Sequence, residues 1–356
     1  MTSGDVRFGF LGAGWIAHRA LAPAVHAARG AVLQAAAARD RDRARSLQPA
    51  GRSYGGPDAY LALLGDPEVD VVYLSLHNSA HRGWVLAALE AGKHVLCEKP
   101  MAMDAAELAE LAAAADQADR LLVEAFWYRW HPRTRRLAAL VAAGDLGPIT
   151  AVDADFSFDA PDADLAGNYR LDPAAGGGAL YDTGCYAVSA AHLVLGPDLT
   201  VKRAAAVTGP TGVDLSASAT LRADRLDAGE GSEAVLRCAI QGSTRQVLRV
   251  TGTAASARLV GSDGREGEAF TSWQAEAVLR IDRSDGAPPE RFEERFEERF
   301  EERFEPVDAY RLMVEAMAAR VRGADAFLVE LDHCAQVTGT LDAIRAAWPT
   351  RLAPPF

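Results

Sequence analysis

Short apolar runs alternate with alanine-rich stretches as far as Ala125, and then the alternation stops. Val6–Leu11 is the first run, and Trp15–Arg29 after it has a helical composition. Ala31–Ala38, Val71–Leu76, His94–Cys97 and Leu121–Ala125 are further runs, with segments such as His81–Ala91 and Asp104–Asp119 between them. Alanine favours helix more than any other residue, so these spacers are predicted helices, although alanine blurs their periodicity. Apolar strands separated by helices predict a parallel sheet covered on both faces.

Beyond Phe126 strand-like runs follow one another without helices between them. They are Ile149–Phe158, Leu199–Thr208, Val213–Arg222, Ala234–Gln241, Gln246–Thr251 and Ala277–Asp282. Several alternate polar with apolar residues, as in LSASATLR and TRQVLRV. This predicts a mostly antiparallel sheet with one buried and one more exposed face. Two helices close the pattern. One carries Tyr310, Met313, Val314, Met317 and Val321 on one stripe, and the other carries Cys334, Val337, Leu341, Ile344 and Trp348. The change of texture divides the chain at residues 1–128 and 129–356, and 356 residues suit two cores better than one. Residues 291–305 read RFEERFEERFEERFE. This four-residue repeat is expected to be a local expansion, either a solvated helix or an extended edge. As a helix its phenylalanines drift around the axis, because four residues overshoot one turn. As a strand they share one face with half the glutamates.

Composition narrows the function. Apolar content of 49% with 24% charged residues is ordinary for a soluble globular protein. A net charge of −12 argues against a nucleic-acid partner, because there is no excess of Lys and Arg to neutralise phosphates. A small anion held by local arginines stays compatible with it. Cys97, Cys185, Cys238 and Cys334 lie far apart without a CxxC. That spacing predicts a reduced, cytoplasmic compartment, with no structural disulfide and no metal site. No basic segment followed by an apolar run suggests a secretory signal, and no uninterrupted apolar stretch of ~18 residues suggests a membrane span.

The candidate chemistry sits at the ends of the predicted strands. Gly12, Gly14 and Ala17 form G-x-G-x-x-A, with Trp15 and Ile16 inside it, between a strand and a helix. Glycines let the chain turn tightly and approach a pyrophosphate, and the helix start offers N–H groups to the anion. A dinucleotide is therefore expected. The second strand ends Ala37-Ala38-Arg39-Asp40. An arginine there accommodates the 2′-phosphate of NADP, whereas an acid there binds the ribose of NAD. Arg39 points to NADP. Asp40 is the competing residue that would point to NAD, and it also suits the N-cap of the next helix. Asn78 and His81 follow the third strand and either line the nicotinamide side or pack structurally. Glu98 and Lys99, in Cys-Glu-Lys-Pro, follow the fourth strand at the edge where ligands bind in such sheets. Asp182 and Tyr186 are four residues apart on one helical face, and Asp182 either caps that helix or touches substrate. Arg129 and His131 flank the domain junction and either contact substrate or cofactor or make structural polar contacts. His192 lies off the face of Tyr186 and is read as structural.

In order and spacing GFLGAGWIA, CEKP and GGGALYDTGCY resemble the oxidoreductase family of glucose–fructose oxidoreductase and inositol dehydrogenase. EAFWYRWHP (Glu124–Pro132) and NYRLDPAAGGGALYDTGCYAV (Asn168–Val188) resemble the branch with NADP-linked D-xylose dehydrogenase and dimeric trans-dihydrodiol dehydrogenase. The resemblance covers nearly the whole chain apart from the repeat. It implies an α/β protein with an N-terminal Rossmann domain, a doubly wound parallel sheet that binds the dinucleotide. The C-terminal α/β domain would carry a large, mostly antiparallel open sheet for substrate and for homo-oligomer contact. The resemblance also implies that Lys99 and Tyr186 are catalytic, with Asp182 one turn before Tyr186, and that the Lys99–Pro100 bond is cis. Two departures matter. Inositol-dehydrogenase-like members carry His at the place of Tyr186, and the strand-end Ser of NADP-linked relatives is Ala38 here.

Elementary chemistry agrees with these roles. Oxidising an alcohol sends hydride to the nicotinamide and needs a base for the hydroxyl proton. A free tyrosine titrates near ~10, and lowering that by ~2 units takes ~2.7 kcal/mol. One close ammonium in a partly dry site can supply this. The expected function is hydride transfer between NADP and a hydroxyl of an aldose or cyclic diol, with NAD as the alternative cofactor. A trans-dihydrodiol or inositol-type dehydrogenase is the neighbouring possibility. A non-catalytic ligand sensor on the same fold is the other class, and it has no need to keep both Lys99 and Tyr186.

Overall fold

Six strands pair in parallel to form the first sheet: β1 (Val6–Leu11), β2 (Ala31–Ala38), β3 (Arg52–Gly55), β4 (Val71–Leu74), β5 (His94–Cys97) and β6 (Leu122–Glu124). Their order is β3-β2-β1-β4-β5-β6. The winding reverses at β1, so a crevice opens beyond the carboxyl ends of β1 and β4. The helices α1 (Ala22–Ala27), α2 (Arg41–Arg45), α3 (Ala59–Leu64), α4 (His81–Glu90) and α5 (Ala105–Ala118) connect the strands. Phe8, Phe10, Leu33, Val71, Tyr73 and Leu96 are fully buried. Burial on both faces is why these strands read as continuous apolar runs. β3 was not legible in that pattern. Its sequence is RSYG, half exposed at the sheet edge, and it carries no apolar run.

The computed structural model describes residues 4–161, 165, 167–223, 231–242, 244–271, 274–283 and 298–348. The chain packs as two units: residues through Trp130 with Asp308–Ala335, and His131–Val307 with residues from Gln336 onward.

The second unit is built on an eight-stranded sheet. It contains β7 (Ile149–Ser157), β8 (Leu199–Thr208), β9 (Asp214–Ala223), β10 (Glu233–Ala239), β11 (Arg245–Gly252), β12 (Ala255–Gly261), β13 (Ala277–Arg283) and β14 (Glu298–Phe304). The order is β14-β13-β12-β11-β7-β10-β9-β8. All neighbours are antiparallel except β7 and β10. α6 (Pro132–Ala143) and α7 (Cys185–Leu195) pack on this sheet. α8 (Ala309–Val321) belongs to the first unit, and α9 (Leu331–Ala347) follows it. β12 escaped the sequence reading because six of its seven residues are buried, which erases the period-two signal.

Within the described part of the repeat, Glu298–Phe304 is the extended edge strand β14, paired with β13 from Ala277↔Phe304 to Arg283↔Glu298. Residues 291–297 lie outside the described residues. Arg299 Nε donates to Asp282 Oδ1 at 2.8 Å, Arg280 Nη2 to Glu301 Oε1 at 2.9 Å and Arg136 Nε to Glu302 Oε2 at 2.9 Å. Because the repeat has a period of four, deleting Arg291–Glu294 leaves the same ERFEERF sequence to face β13. Deleting Arg291–Glu298 does so as well. Either deletion is expected to keep the turnover number, since loop closure depends weakly on length. Loss of activity or of soluble protein on four-residue deletion would show that the number of repeats itself matters.

Candidate active site

In the first unit the sequence-predicted residues follow the carboxyl ends of adjacent strands. The turn after β1 needs Gly12, whose φ is +98° and where a Cβ would run into the Ser75 carbonyl. Gly12 N–H donates to Ala37 O at 2.9 Å, which ties this turn to the end of β2. Ala17 is fully buried and opens a π-helical turn, Ala17–Leu21, that runs into α1. Trp15 is 72% exposed at the helix start, and Gly14 and Ile16 are partly exposed. A turn closed to side chains, leading into a helix N-terminus, fits the pyrophosphate of a dinucleotide.

At the tip of β2, Asp40 caps α2, its Oδ1 accepting the Asp42 N–H at 2.8 Å. Arg41 and Arg43 donate to the Ser53 and Ala13 carbonyls. Arg39 is exposed and has no side-chain hydrogen-bond or ion-pair partner among the described residues. The strand tip therefore presents one uncommitted cation and a carboxylate occupied by its own helix.

A set of buried bonds holds the turn that carries Lys99. The Lys99–Pro100 peptide is cis. Tyr73 Oη donates to Glu98 Oε1 at 2.8 Å, and Glu98 Oε2 accepts the Lys99 N–H at 3.2 Å. Burial and the Glu98 carboxylate push the Tyr73 phenol well above its usual range, so Tyr73 is a fixed donor and no base. His81, wholly buried, has Nδ1 at 2.8 Å from Pro100 O and Nε2 at 3.2 Å from Leu76 O. Burial lowers its pKa to about 4, so a neutral ring has one proton for two carbonyls, and the shorter bond to Pro100 O takes it. His81 thus braces the turn from behind. Asn78, at the start of the short turn that leads into α4, is buried as well. Lys99 itself is half-buried.

Glu124, at the end of β6, completes this support. Its Oε1 accepts the Met101 N–H at 2.8 Å. Burial pushes its carboxyl up to about 7, against the opposing pull of the Cys334 thiol, the Met101 amide and the Lys99 ammonium. A raised value favours the protonated native state, so this contribution is present at low pH and is lost as pH climbs from the ordinary carboxylate range to about 7. Glu124→Gln, neutral at every pH, should therefore gain stability relative to the parent by about 1–3 kcal/mol between about pH 5 and about pH 8. Melting temperatures of both proteins at the two pH values test this, and a constant gap would contradict it.

Arg129 is also in the first unit. Its Nη1 lies 2.7 Å from His333 Nε2, while the neighbouring Trp127 stacks on Tyr310 at 4.6 Å.

In the second unit Asp182 and Tyr186 lie on one helix. Leu180–Gly184 is a π-helical turn leading into α7, a local form often found at functional sites. Both side chains are buried. Arg170 grips Asp182 with two bonds, Nε to Oδ2 at 2.6 Å and Nη2 to Oδ1 at 3.3 Å. Burial opposes the Arg170 charge, but the Asp182 carboxylate outweighs it and raises the guanidinium further. A side chain at Gly177 would collide with the Arg170 carbonyl, so the GGG run lets this loop close on itself. The Tyr186 ring is set by Phe156 at 5.2 Å and Phe270 at 5.9 Å, both edge-on. His131 caps α6, its Nδ1 accepting the Arg133 N–H at 3.1 Å. Burial lowers its pKa to about 4, so the ring is neutral with its proton on Nε2, able to donate there but not to accept. His192 is buried and bonded to Gly196 O and Thr340 Oγ1, as a structural residue would be.

Arg170, Phe156, Phe270, Tyr73 and Glu124 were not singled out from sequence. Arg170 lay within the NYRLDP stretch, but nothing there tells which carboxylate it meets. Phe156 and Phe270 had no signal beyond their hydrophobicity.

Residues 6–126 match the family described as "Oxidoreductase family, NAD-binding Rossmann fold", and residues 134–258 match the "GFO/IDH/MocA C-terminal domain". The chain is 37% identical over 340 residues to D-xylose 1-dehydrogenase (NADP(+)) 2 of Haloferax volcanii, covering 95% of each protein. The chain belongs to the GFO/IDH/MocA oxidoreductase family. A second relative of this GFO/IDH/MocA chain is trans-1,2-dihydrobenzene-1,2-diol dehydrogenase of Xenopus tropicalis, 36% identical over 196 residues, or 53% of this chain and 56% of that one. Among solved structures it resembles KijD10, a 3-ketoreductase from Actinomadura kijaniata in complex with NADP and TDP-benzene. The TM-score is 0.83 at 27% identity, over 97% of this chain and 98% of that one. The expected family, Rossmann domain and mostly antiparallel second sheet are borne out by these matches and by the two observed sheets. No helix among the described residues is long and apolar enough to cross a membrane.

Proposed function

We propose that this chain is an NADP-dependent oxidoreductase that moves a hydride between the nicotinamide and a hydroxyl-bearing carbon of an aldose or a cyclic diol. The observation that carries the reading is joint retention. The lysine of the strand-end turn and the tyrosine in the first turn of α7 are both present, the first beside the buried Glu98 and the second against Phe156 and the buried Phe270, in a chain that is 37% identical to an NADP-linked xylose dehydrogenase over 95% of its length. A ligand sensor would have no use for both.

Gly12, Gly14, Trp15, Ile16 and Ala17 would hold the pyrophosphate side of the dinucleotide, Arg39 its 2′-phosphate, and Asn78 and the Glu98–Lys99 turn the nicotinamide side. When bound, the nicotinamide accepts or supplies the hydride. Tyr186 Oη takes the substrate hydroxyl proton in oxidation and returns it in reduction, and Lys99 supplies the positive charge that favours the phenolate. Asp182, oriented by Arg170, accepts a hydrogen bond from a substrate hydroxyl. His131 Nε2–H and Arg129 are further donors on the substrate side. All four cysteines are buried and free, in keeping with a cytoplasmic enzyme. We also infer a homo-oligomer, a dimer in the simplest case, formed through the large sheet of the second unit.

The test is a panel of aldoses, inositols and diols with NADP and with NAD, followed by absorbance of the reduced cofactor. Absence of turnover with every member would overturn the reading. Arg39→Ala should raise the Michaelis constant for NADP about tenfold, as expected for one lost charge-assisted phosphate bond, and leave that for NAD nearly unchanged. An equal effect on both cofactors would remove Arg39 from the phosphate site.

A further inference from the structure

Arg133 has no part in the reading above, yet it heads the fully buried side chains by volume and is only 1% exposed. It stands in the first turn of α6, just after Pro132. No carboxylate pairs with it among the described residues. Instead Nη1 donates to Val260 O at 2.6 Å, and Nη2 donates to Glu268 O at 2.7 Å and to Ala269 O at 3.2 Å. Burial lowers the guanidinium pKa to about 10, which still leaves it charged near neutrality. The Glu268 carboxylate favours the charge without forming an ion pair, burial outweighs it, and an apolar side chain of similar size would avoid that cost. What an apolar residue cannot do is hold three carbonyls at once in the planar fork of a guanidinium.

Those carbonyls belong to the end of β12 and to the connection that leads to β13. The residue after Ala269 is Phe270. Its N–H donates to Gln246 Oε1 at 3.2 Å, and Thr271 Oγ1 donates to the same oxygen at 2.9 Å. The connection is therefore pinned by Arg133 on one side of Phe270 and by Gln246 on the other. Phe270 in turn stacks on Phe156 at 5.6 Å and 8°, and both rings meet the Tyr186 ring edge-on. The path from α6 to Tyr186 is short and each step is a stated contact.

We propose that Arg133 is a positioning residue that sets the Tyr186 ring through residues 268–270 and Phe270. The inference rests on Tyr186 being the proton-transfer group. A displaced ring moves its oxygen away from the substrate proton, and misplacement on the order of 1 Å can cost a large factor in rate. The expected signature is a fall in kcat with cofactor binding unchanged.

The experiment is a double-mutant cycle of Arg133→Met with Tyr186→Phe, with NADPH affinity from fluorescence and melting temperature recorded for each protein. Alone, Arg133→Met should lower kcat by about 10–100-fold and leave NADPH affinity within about twofold. In the Tyr186→Phe background the same substitution should change kcat by less than about twofold, because the oxygen it positions is gone. Arg133→Lys keeps the cation but not the fork, and should fall between the parent and Arg133→Met. If Arg133→Met does not fold, the cycle is run with Arg133→Lys, and the same lack of effect in the Tyr186→Phe background is expected. Equal losses in both backgrounds would overturn the inference and leave the Tyr186 assignment standing. Wild-type turnover of Tyr186→Phe alone would overturn that assignment and this inference with it.

Discussion

Tyr186→Phe is expected to lower turnover by roughly 10²–10⁴-fold, the range for removing a positioned acid–base group. That factor corresponds to about 3–5 kcal/mol of barrier. The substitution keeps the ring that Phe156 and Phe270 pack against, so only the phenolic oxygen is lost. Folding and NADPH binding should survive, and fluorescence titration separates binding from chemistry. Other candidate bases are disfavoured on physical grounds. Tyr73 is held protonated against Glu98, Asp182 is engaged twice by Arg170, and the free nitrogen of His131 carries a proton. Turnover equal to wild type with the best substrate would nonetheless reject Tyr186 and return attention to Asp182.

The second large effect is expected at Lys99. Lys99→Met preserves much of the length and apolar body of the side chain and removes only its charge. The turn is fixed by backbone bonds to Glu98, His81 and Glu124, so the substitution leaves that scaffold intact. If Lys99 has the proposed role, its loss leaves the Tyr186 phenol holding its proton more tightly. For oxidation, a rise of ~2 units in the phenol would cut the phenolate fraction at fixed pH by roughly 10²-fold. The rate should therefore recover only at higher pH, and the limb of the pH–rate profile should move to the alkaline side. A uniform loss with an unmoved limb would show that Lys99 positions a ligand and does not tune the phenol.

Much of this molecule is readable from its residues in order. The strands that end at Leu11, Ala38, Leu74 and Cys97 are short, apolar and buried on both faces, so hydrophobic runs mark them directly. A parallel strand pair needs a crossover, so strand–helix alternation also announced the sheet type. Gly12, Lys99 and Tyr186 could be singled out as candidates because a motif packs several constraints into a few neighbouring positions. β3, β12 and the strand form of Glu298–Phe304 were not. The first is polar, the second is buried on both faces, and the third is a four-residue repeat compatible with two periodicities. Pairing with β13 settled that choice, and pairing is a long-range fact.

The sequence alone determined which chemical groups this protein owns and on which kind of element each sits. Only the tertiary structure decided what each group is committed to. Asp40 could have met a ribose, and it caps a helix; Asp182 could have capped one, and Arg170 holds it. His81 became a brace for the turn at Lys99, Glu124 an anchor for Met101, and Arg133 a clamp on three carbonyls. A hydrogen bond or a burial shift depends on groups that are distant along the chain and close in space. Local composition carries no record of that distance.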